Sequence, residues 1–158
     1  MLKIGQGFDL HQLSADRKLI LAGVEIPDAL GAIGHSDADV LLHAIIDALI
    51  GATALGDIGK FFPDNDNKYK DANSRELLKA TYNIIKKETG YTINNIDSTI
   101  ILEKPKLRNY IDLMRQNIAN DLNLELNQVS IKAKTSEAIG IVGRQEAIVA
   151  QAIVLLIK

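Results

Sequence analysis

A chain of 158 residues, 47% apolar and 24% charged, is one domain's worth of sequence with enough apolar surface for a core; it falls outside the disordered, collagenous and mucin-like classes. Eighteen Lys and Arg against twenty Asp and Glu leave a net charge of −2, which supplies no global footprint for nucleic acid or membrane. With no cysteine, disulfides, thiolate metal sites and cysteine nucleophiles are excluded.

Residues 2–10 read as a first strand interrupted by Gly5 and Gly7, and residues 17–21 as a second that pairs with it. The start of the chain lacks a basic segment followed by a long apolar one, and the apolar run 152–157 is far too short to span a bilayer. A cytoplasmic protein is therefore expected, a processed organellar form being left open. A first helix is predicted from Asp37, capped by Ser36, with Leu41, Ile45, Leu49 and Ala52 toward a core and Asp39, His43 and Asp47 on another stripe. Gly56 and Gly59 end that region, and residues 61–69, with Pro63 inside, read as irregular. A second helix is expected over 74–88, stopped by Gly90, and a strand over 91–103 with a bend or bulge at Asn94–Asn95. A third helix is predicted over 107–123, then strands over 129–134 and 147–157. The continuity of the last strand predicts burial on both faces, by helices or another subunit. The sum is one α/β domain, residues 1–158, with helices covering a sheet.

Asp9 and His11 share a strand parity, and His43 can approach them from the first helix. Two imidazoles and a carboxylate suit zinc with a fourth position open; capped-helix and surface-histidine readings also fit the spacing. Asp39 or Asp47 could orient a ring. His35 and Ser36 lie at the predicted helix start, where free N–H groups favour an anion or where Ser36 simply caps. Asp57, Ile58, Gly59 and the loop Phe62, Pro63, Asp64, Asn65 and Asp66 could hold a hydroxylated ligand or form a solvated acidic turn. Lys104–Pro105–Lys106 stands between a strand and a helix. Thr135, Ser136, Glu137 and Arg144 together could form a diphosphate site, although each is ordinary alone.

In combination these segments are specific. Gly5–Gln6–Gly7–Phe8–Asp9–Leu10–His11, Ala32–Ile33–Gly34–His35–Ser36–Asp37–Ala38–Asp39, Leu42–His43–Ala44, Gly56–Asp57–Ile58–Gly59–Lys60, Phe62–Pro63–Asp64, Pro105–Lys106, Lys132–Ala133–Lys134–Thr135–Ser136–Glu137 and Gly140–Ile141–Val142–Gly143–Arg144 occur in one order along nearly the whole chain. The sequence resembles the 2-C-methyl-D-erythritol 2,4-cyclodiphosphate synthase family. The resemblance implies a phosphorus–oxygen lyase of the non-mevalonate isoprenoid pathway, in which the 2-phosphate of 4-diphosphocytidyl-2-C-methyl-D-erythritol 2-phosphate attacks the β-phosphorus and CMP leaves. It implies Asp9, His11 and His43 as zinc ligands and Glu137 as a ligand to a second cation, Mg2+ or Mn2+. It further implies His35 and Thr135 as transition-state stabilisers, and Ser36, Asp57, Ile58 and Gly59 as the methylerythritol wall beside the loop 62–66. Leu102, Glu103, Lys104, Pro105, Lys106, Leu107 and Arg108 are implied to read cytidine; Lys134, Thr135, Ser136, Glu137, Ile141 and Arg144 complete the nucleotide side.

The implied fold is a ferredoxin-like α/β sandwich, a mixed sheet covered by helices on one face, in a homotrimer whose sheets pack around the threefold axis with active sites between subunits. Neither nucleic acid nor membrane is an expected partner, and association with neighbouring pathway enzymes is left open. Gln6, Phe61, Lys134, Ile141 and Gln145 depart from the family's usual residues, none at a metal ligand. The alternatives are a zinc-dependent nucleotide or phosphate-ester hydrolase and a non-catalytic trimeric binding protein.

Overall fold

Glycines beneath a helix continue a strand instead of breaking it. In the computed structural model, which describes residues 1–63, 65–66, 69 and 71–158, β1 runs Leu2–Ser14, past the expected end. From Gly5 to Leu13 its odd-numbered residues turn inward and its even-numbered residues outward. α1 (Val40–Ala52) lies directly on it: a Cβ on Gly5 would stand 1.9 Å from the Ala48 carbonyl oxygen, and one on Gly7 1.9 Å from that of Ala44. The pair therefore permits a helix–strand approach that no side chain would allow.

Two expectations for the N-terminal third are corrected. β2 (Leu19–Leu21) pairs with β3 (Val24–Ile26) in a separate ribbon and not with β1, because Ala22 and Gly23, both at positive φ, close a two-residue hairpin. The edge partner of β1 is instead β4 (Gly31–Ala32). α1 begins at Val40 rather than near Asp37, and its cap is Asp39, which accepts the Leu42 N–H at 3.1 Å. Ala38, at φ 55°, keeps the backbone out of the helix until that point.

The rest follows the periodicity closely. α2 (Ile58–Phe61) is one turn capped by Asp57, in the stretch where Gly56 and Gly59 were expected to end the helical region. α3 (Ser74–Thr89) stops at Gly90 in the left-handed conformation. β5 (Thr92–Ile101) carries a register shift between Ile93 and Asn95, as the asparagine pair suggested. A 3-10 turn at Arg108–Tyr110 precedes α4 (Ile111–Leu122), so the third helix starts later than expected. β6 (Val129–Lys134), α5 (Gly140–Gly143) and β7 (Ala147–Ile157) complete the chain.

The main sheet has the order β4-β1-β7-β5-β6, with β7 antiparallel to β1 and β5, and β5 parallel to β6. β1, β5 and β6 thus run the same way, and their carboxyl ends meet at one end of the sheet. α1 packs on β1 and β7 with α3 behind it, and α4 packs beside β6. Helices on one face of a mixed sheet make the expected ferredoxin-like sandwich. Burial on both sides of β7 holds only at its start: Ile148, Ala150, Ala152, Val154 and Leu156 are buried along one face, while on the other Ala147 and Val149 are buried but Ile153 is 46% exposed. Leu2, Ile4, Phe8 and Leu10 of β1 continue that open apolar face. Among the described residues, no helix is long and apolar enough to cross a membrane.

Candidate active site

The glycine-enforced approach of α1 to β1 places His43, one residue before Ala44, against the inward-facing side chains that follow Gly7 on the strand. His11 Nε2 stands 2.9 Å and His43 Nδ1 3.0 Å from Asp9 Oδ2, and the two nitrogens are 3.1 Å apart. Asp9, His11 and His43 can therefore hold one metal ion. Tetrahedral zinc with bonds of about 2.0–2.1 Å sets its ligand atoms about 3.3–3.4 Å apart, close to this triangle. The donor chemistry fits as well. His11 Nδ1 lies 2.8 Å from the Ile33 carbonyl, which can only accept, so Nδ1 carries a hydrogen and Nε2 is the nitrogen that would offer its lone pair to a metal ion.

The charges respond to this crowding. Burial alone would raise Asp9, but hydrogen bonds from His11 and His43 outweigh it and bring the carboxyl down to about 2. Burial opposes charge on His11, yet the adjacent Asp9 raises it. A cation displaces that proton on binding.

A cavity of about 220 Å³ opens beside the triangle, lined also by His35, Ser36, Ile58, Gly59, Phe62, Tyr69 and Leu77. Asp57, next to the lining residue Ile58, caps α2 by accepting the Lys60 N–H at 2.9 Å and does not itself line the cavity. Pro63, Asn65 and Asp66 follow, with the Asp66 N–H bonded to the Pro63 carbonyl; Asp64 lies outside the described residues.

The remaining predicted residues gather elsewhere. A groove of about 800 Å³ runs along Leu102, Glu103, Pro105, Lys106, Leu107, Arg108, Lys134 and Thr135. Leu102 and Leu107 bury their side chains, and the Leu102 N–H bonds to the Lys134 carbonyl, tying the loop after β5 to the end of β6. Glu103 accepts from the Ser136 N–H and hydroxyl, and Glu137 accepts from the Thr135 hydroxyl at 3.2 Å. Lys104 and Arg144 line a third, shallow cavity. Arg144 pairs with Glu146, while Ile141 projects partly exposed from α5.

β1 and β6 stand three strand spacings apart, about 14 Å. The cavity beside the Asp9–His11–His43 triangle and the groove along residues 102–108 share no lining residue within one chain.

Two carboxylates suggested as ring supports serve the backbone instead. Asp39 accepts from Leu42 and Gly23, and Asp47 accepts from the Ile58 N–H at 2.7 Å. The group at the outer nitrogen of His43 is one that spacing did not reveal. Ser74 Oγ lies 3.1 Å from Nε2, as does Ser36 Oγ. Ser74 is distant in sequence and comes to the site only because α3 packs on α1.

The model of the YgbB family matches residues 2–157. The chain belongs to the YgbB family. As a YgbB chain it is 56% identical, over 99% of each sequence, to the 2-C-methyl-D-erythritol 2,4-cyclodiphosphate synthase of Alkaliphilus oremlandii (strain OhILAs), and 57% identical at the same coverage to that of Chlorobaculum parvum (strain DSM 263 / NCIMB 8327). Its fold superposes on IspF of Plasmodium falciparum, solved as a CDP complex, with a TM-score of 0.85 and 36% identity, covering 99% of this chain and 96% of that one. The TM-score is 0.94, at 42% identity, with the bifunctional IspDF of Campylobacter jejuni; 99% of this YgbB chain is covered, but it spans 42% of that longer protein.

Proposed function

We infer that this chain converts 4-diphosphocytidyl-2-C-methyl-D-erythritol 2-phosphate to 2-C-methyl-D-erythritol 2,4-cyclodiphosphate and CMP, as a phosphorus–oxygen lyase of isoprenoid precursor synthesis. The observation that carries the reading is the Asp9–His11–His43 triangle, found in a chain more than half identical, end to end, to synthases of that name. An oxygen of the 2-phosphate attacks the β-phosphorus. The bond from that phosphorus to the CMP phosphate oxygen breaks, and its electron pair leaves with CMP.

Zn2+ held by Asp9, His11 and His43, with Mg2+ or Mn2+ at Glu137, would offset phosphate charge and polarise the diphosphate. His35 and Thr135 donate to the transferring phosphoryl oxygens. Ser36, Asp57, Ile58, Gly59 and the loop 62–66 hold the methylerythritol end. Residues 102–108 receive the cytidine, with Lys134–Glu137, Ile141 and Arg144 on the diphosphate side. Alignment of the two reacting phosphates supplies much of the acceleration.

The distance between β1 and β6 favours a homotrimer in which the zinc side of one protomer meets the nucleotide groove of its neighbour. Sheets facing inward around a threefold axis would also cover the open apolar face of β1 and β7. The CDP bound to the Plasmodium falciparum protein supports a cytidine diphosphate substrate. The reading treats residues 1–158 as one catalytic domain, acting in the cytoplasm on a small molecule.

Phosphorus NMR with the proposed substrate and Mg2+ tests the assignment. Cyclic diphosphate and CMP are expected in step; a linear phosphorylated product would assign hydrolysis, and unchanged substrate with folded, zinc-loaded protein would refute catalysis. Replacing His43 by alanine is expected to lower zinc stoichiometry and turnover together.

A further inference from the structure

An imidazole that ligates a metal through one nitrogen needs its hydrogen held on the other. For His43 the inward atom is Nδ1, which faces Asp9 and His11, and the outward atom is Nε2, which faces Ser74 and Ser36. Nδ1 also lies 3.0 Å from Asp9 Oδ2, an acceptor that would take a hydrogen on that side, the wrong side for metal binding. We propose that Ser74, oriented by Asp37, is a positioning residue that holds the His43 hydrogen on Nε2 and so reserves the Nδ1 lone pair for the metal. The proposal rests on the zinc-site reading above.

Hydrogen-bond accounting supports it. Ser74 is the first residue of α3 and is fully buried. Its hydroxyl hydrogen is committed, because Ser74 Oγ donates to Asp37 Oδ1 in a short contact. The other oxygen of Asp37 accepts the Ser74 N–H at 3.0 Å, so one carboxylate grips the residue at two points. With its hydrogen spent, Ser74 Oγ can meet Nε2 at 3.1 Å only as an acceptor, and Nε2 must donate. Ser36 does not impose this choice. Its Oγ accepts the Ala38 N–H at 3.3 Å but keeps a rotatable hydrogen, so it can serve His43 in either sense. The relay joins three parts of the chain: Asp37 before α1, His43 within it and Ser74 at the start of α3. The docking of α3 is thereby linked to the direction of a metal ligand.

The test uses the full-length protein stripped of metal and titrated with Co2+, whose visible spectrum reports tetrahedral binding. Wild type, Ser74→Ala and His43→Ala are compared, with the thermal midpoint of each metal-free sample as a folding control. The expected result is a loss of about 10- to 100-fold in Co2+ affinity for Ser74→Ala at a nearly unchanged metal-free midpoint. In the zinc-loaded wild type, NMR is expected to show a His43 Nε2 hydrogen protected from solvent exchange, and in Ser74→Ala that protection is lost.

Ser74→Ala binding Co2+ within twofold of wild type would overturn the proposal and leave the metal site standing. Wild type binding no better than His43→Ala would overturn the metal-site reading itself. If Ser74→Ala does not fold, the wild-type spectrum decides: a His43 Nε2 hydrogen exchanging as fast as that of free imidazole refutes the relay.

Discussion

Gly7→Ala tests whether the spacing between α1 and β1 builds the metal triangle. The added methyl carbon would lie 1.9 Å from the Ala44 carbonyl oxygen and 2.8 Å from the Ala48 nitrogen, both backbone atoms that no rotamer change can move. Cβ contacts below 3.0 Å do not persist, so strand and helix must part by about 1.1 Å at this point. Ala44 adjoins His43, and Asp9 is two residues from Gly7, so the displacement falls on a triangle whose edges measure 2.9–3.1 Å. Metal–ligand distances tolerate about 0.2 Å. Forced separation in a packed core costs about 1–3 kcal/mol, or roughly 2–12 °C in the thermal midpoint of a chain this size. The expected outcome is a lower midpoint for the metal-free protein together with weakened Zn2+ binding in a chelator competition. Gly51→Ala is the control: its Cβ meets nothing nearer than 4.0 Å, and removing a glycine from a helix stabilises by up to about 1 kcal/mol. A Gly7→Ala protein with wild-type midpoint and wild-type Zn2+ affinity would refute the link between glycine, helix spacing and site.

Two further predictions concern assembly and pH. Ile153 is 46% exposed at the centre of the open sheet face, so Ile153→Lys is expected to leave the folded protomer intact while abolishing the proposed trimer in analytical ultracentrifugation, with turnover lost alongside; a variant that assembles as wild type does would remove this face from the proposed interface. Burial raises Asp39 from 3.8 to about 6, despite hydrogen bonds from the Gly23 and Leu42 amides. A raised folded-state value contributes stability that is complete below the unfolded value and lost as pH rises through about 6. Metal-free wild type should therefore gain about 2 kcal/mol relative to Asp39→Asn between pH 7 and pH 4.5 in urea unfolding, and a pH-independent difference would contradict that direction.

The parts of the fold that local chemistry governs were legible. Gly90 ended α3, Asn94–Asn95 marked the register shift in β5, and the apolar run 147–157 became the central strand β7. Misreadings arose where distant packing overrode local pattern. Gly5 and Gly7 looked like interruptions of a strand because their role is defined by α1, forty residues away. Ser36 looked like a helix cap, yet the positive φ of Ala38 hands that task to Asp39. The stripe Asp39–His43–Asp47 suggested carboxylate support for the imidazole, but both carboxylates are occupied by backbone amides.

The sequence by itself determined most element types, the family and the identities of the side chains that could hold a metal ion, because periodicity, turn chemistry and an ordered set of motifs are all local properties. Tertiary structure alone decided that Asp9, His11 and His43 share one point, that Ser74 stands behind His43, and that the groove along residues 102–108 and 134–135 lies across the sheet from them. Those facts depend on how closely α1 settles on two bare glycines and on which strands lie between β1 and β6, distances that no spacing along the chain encodes.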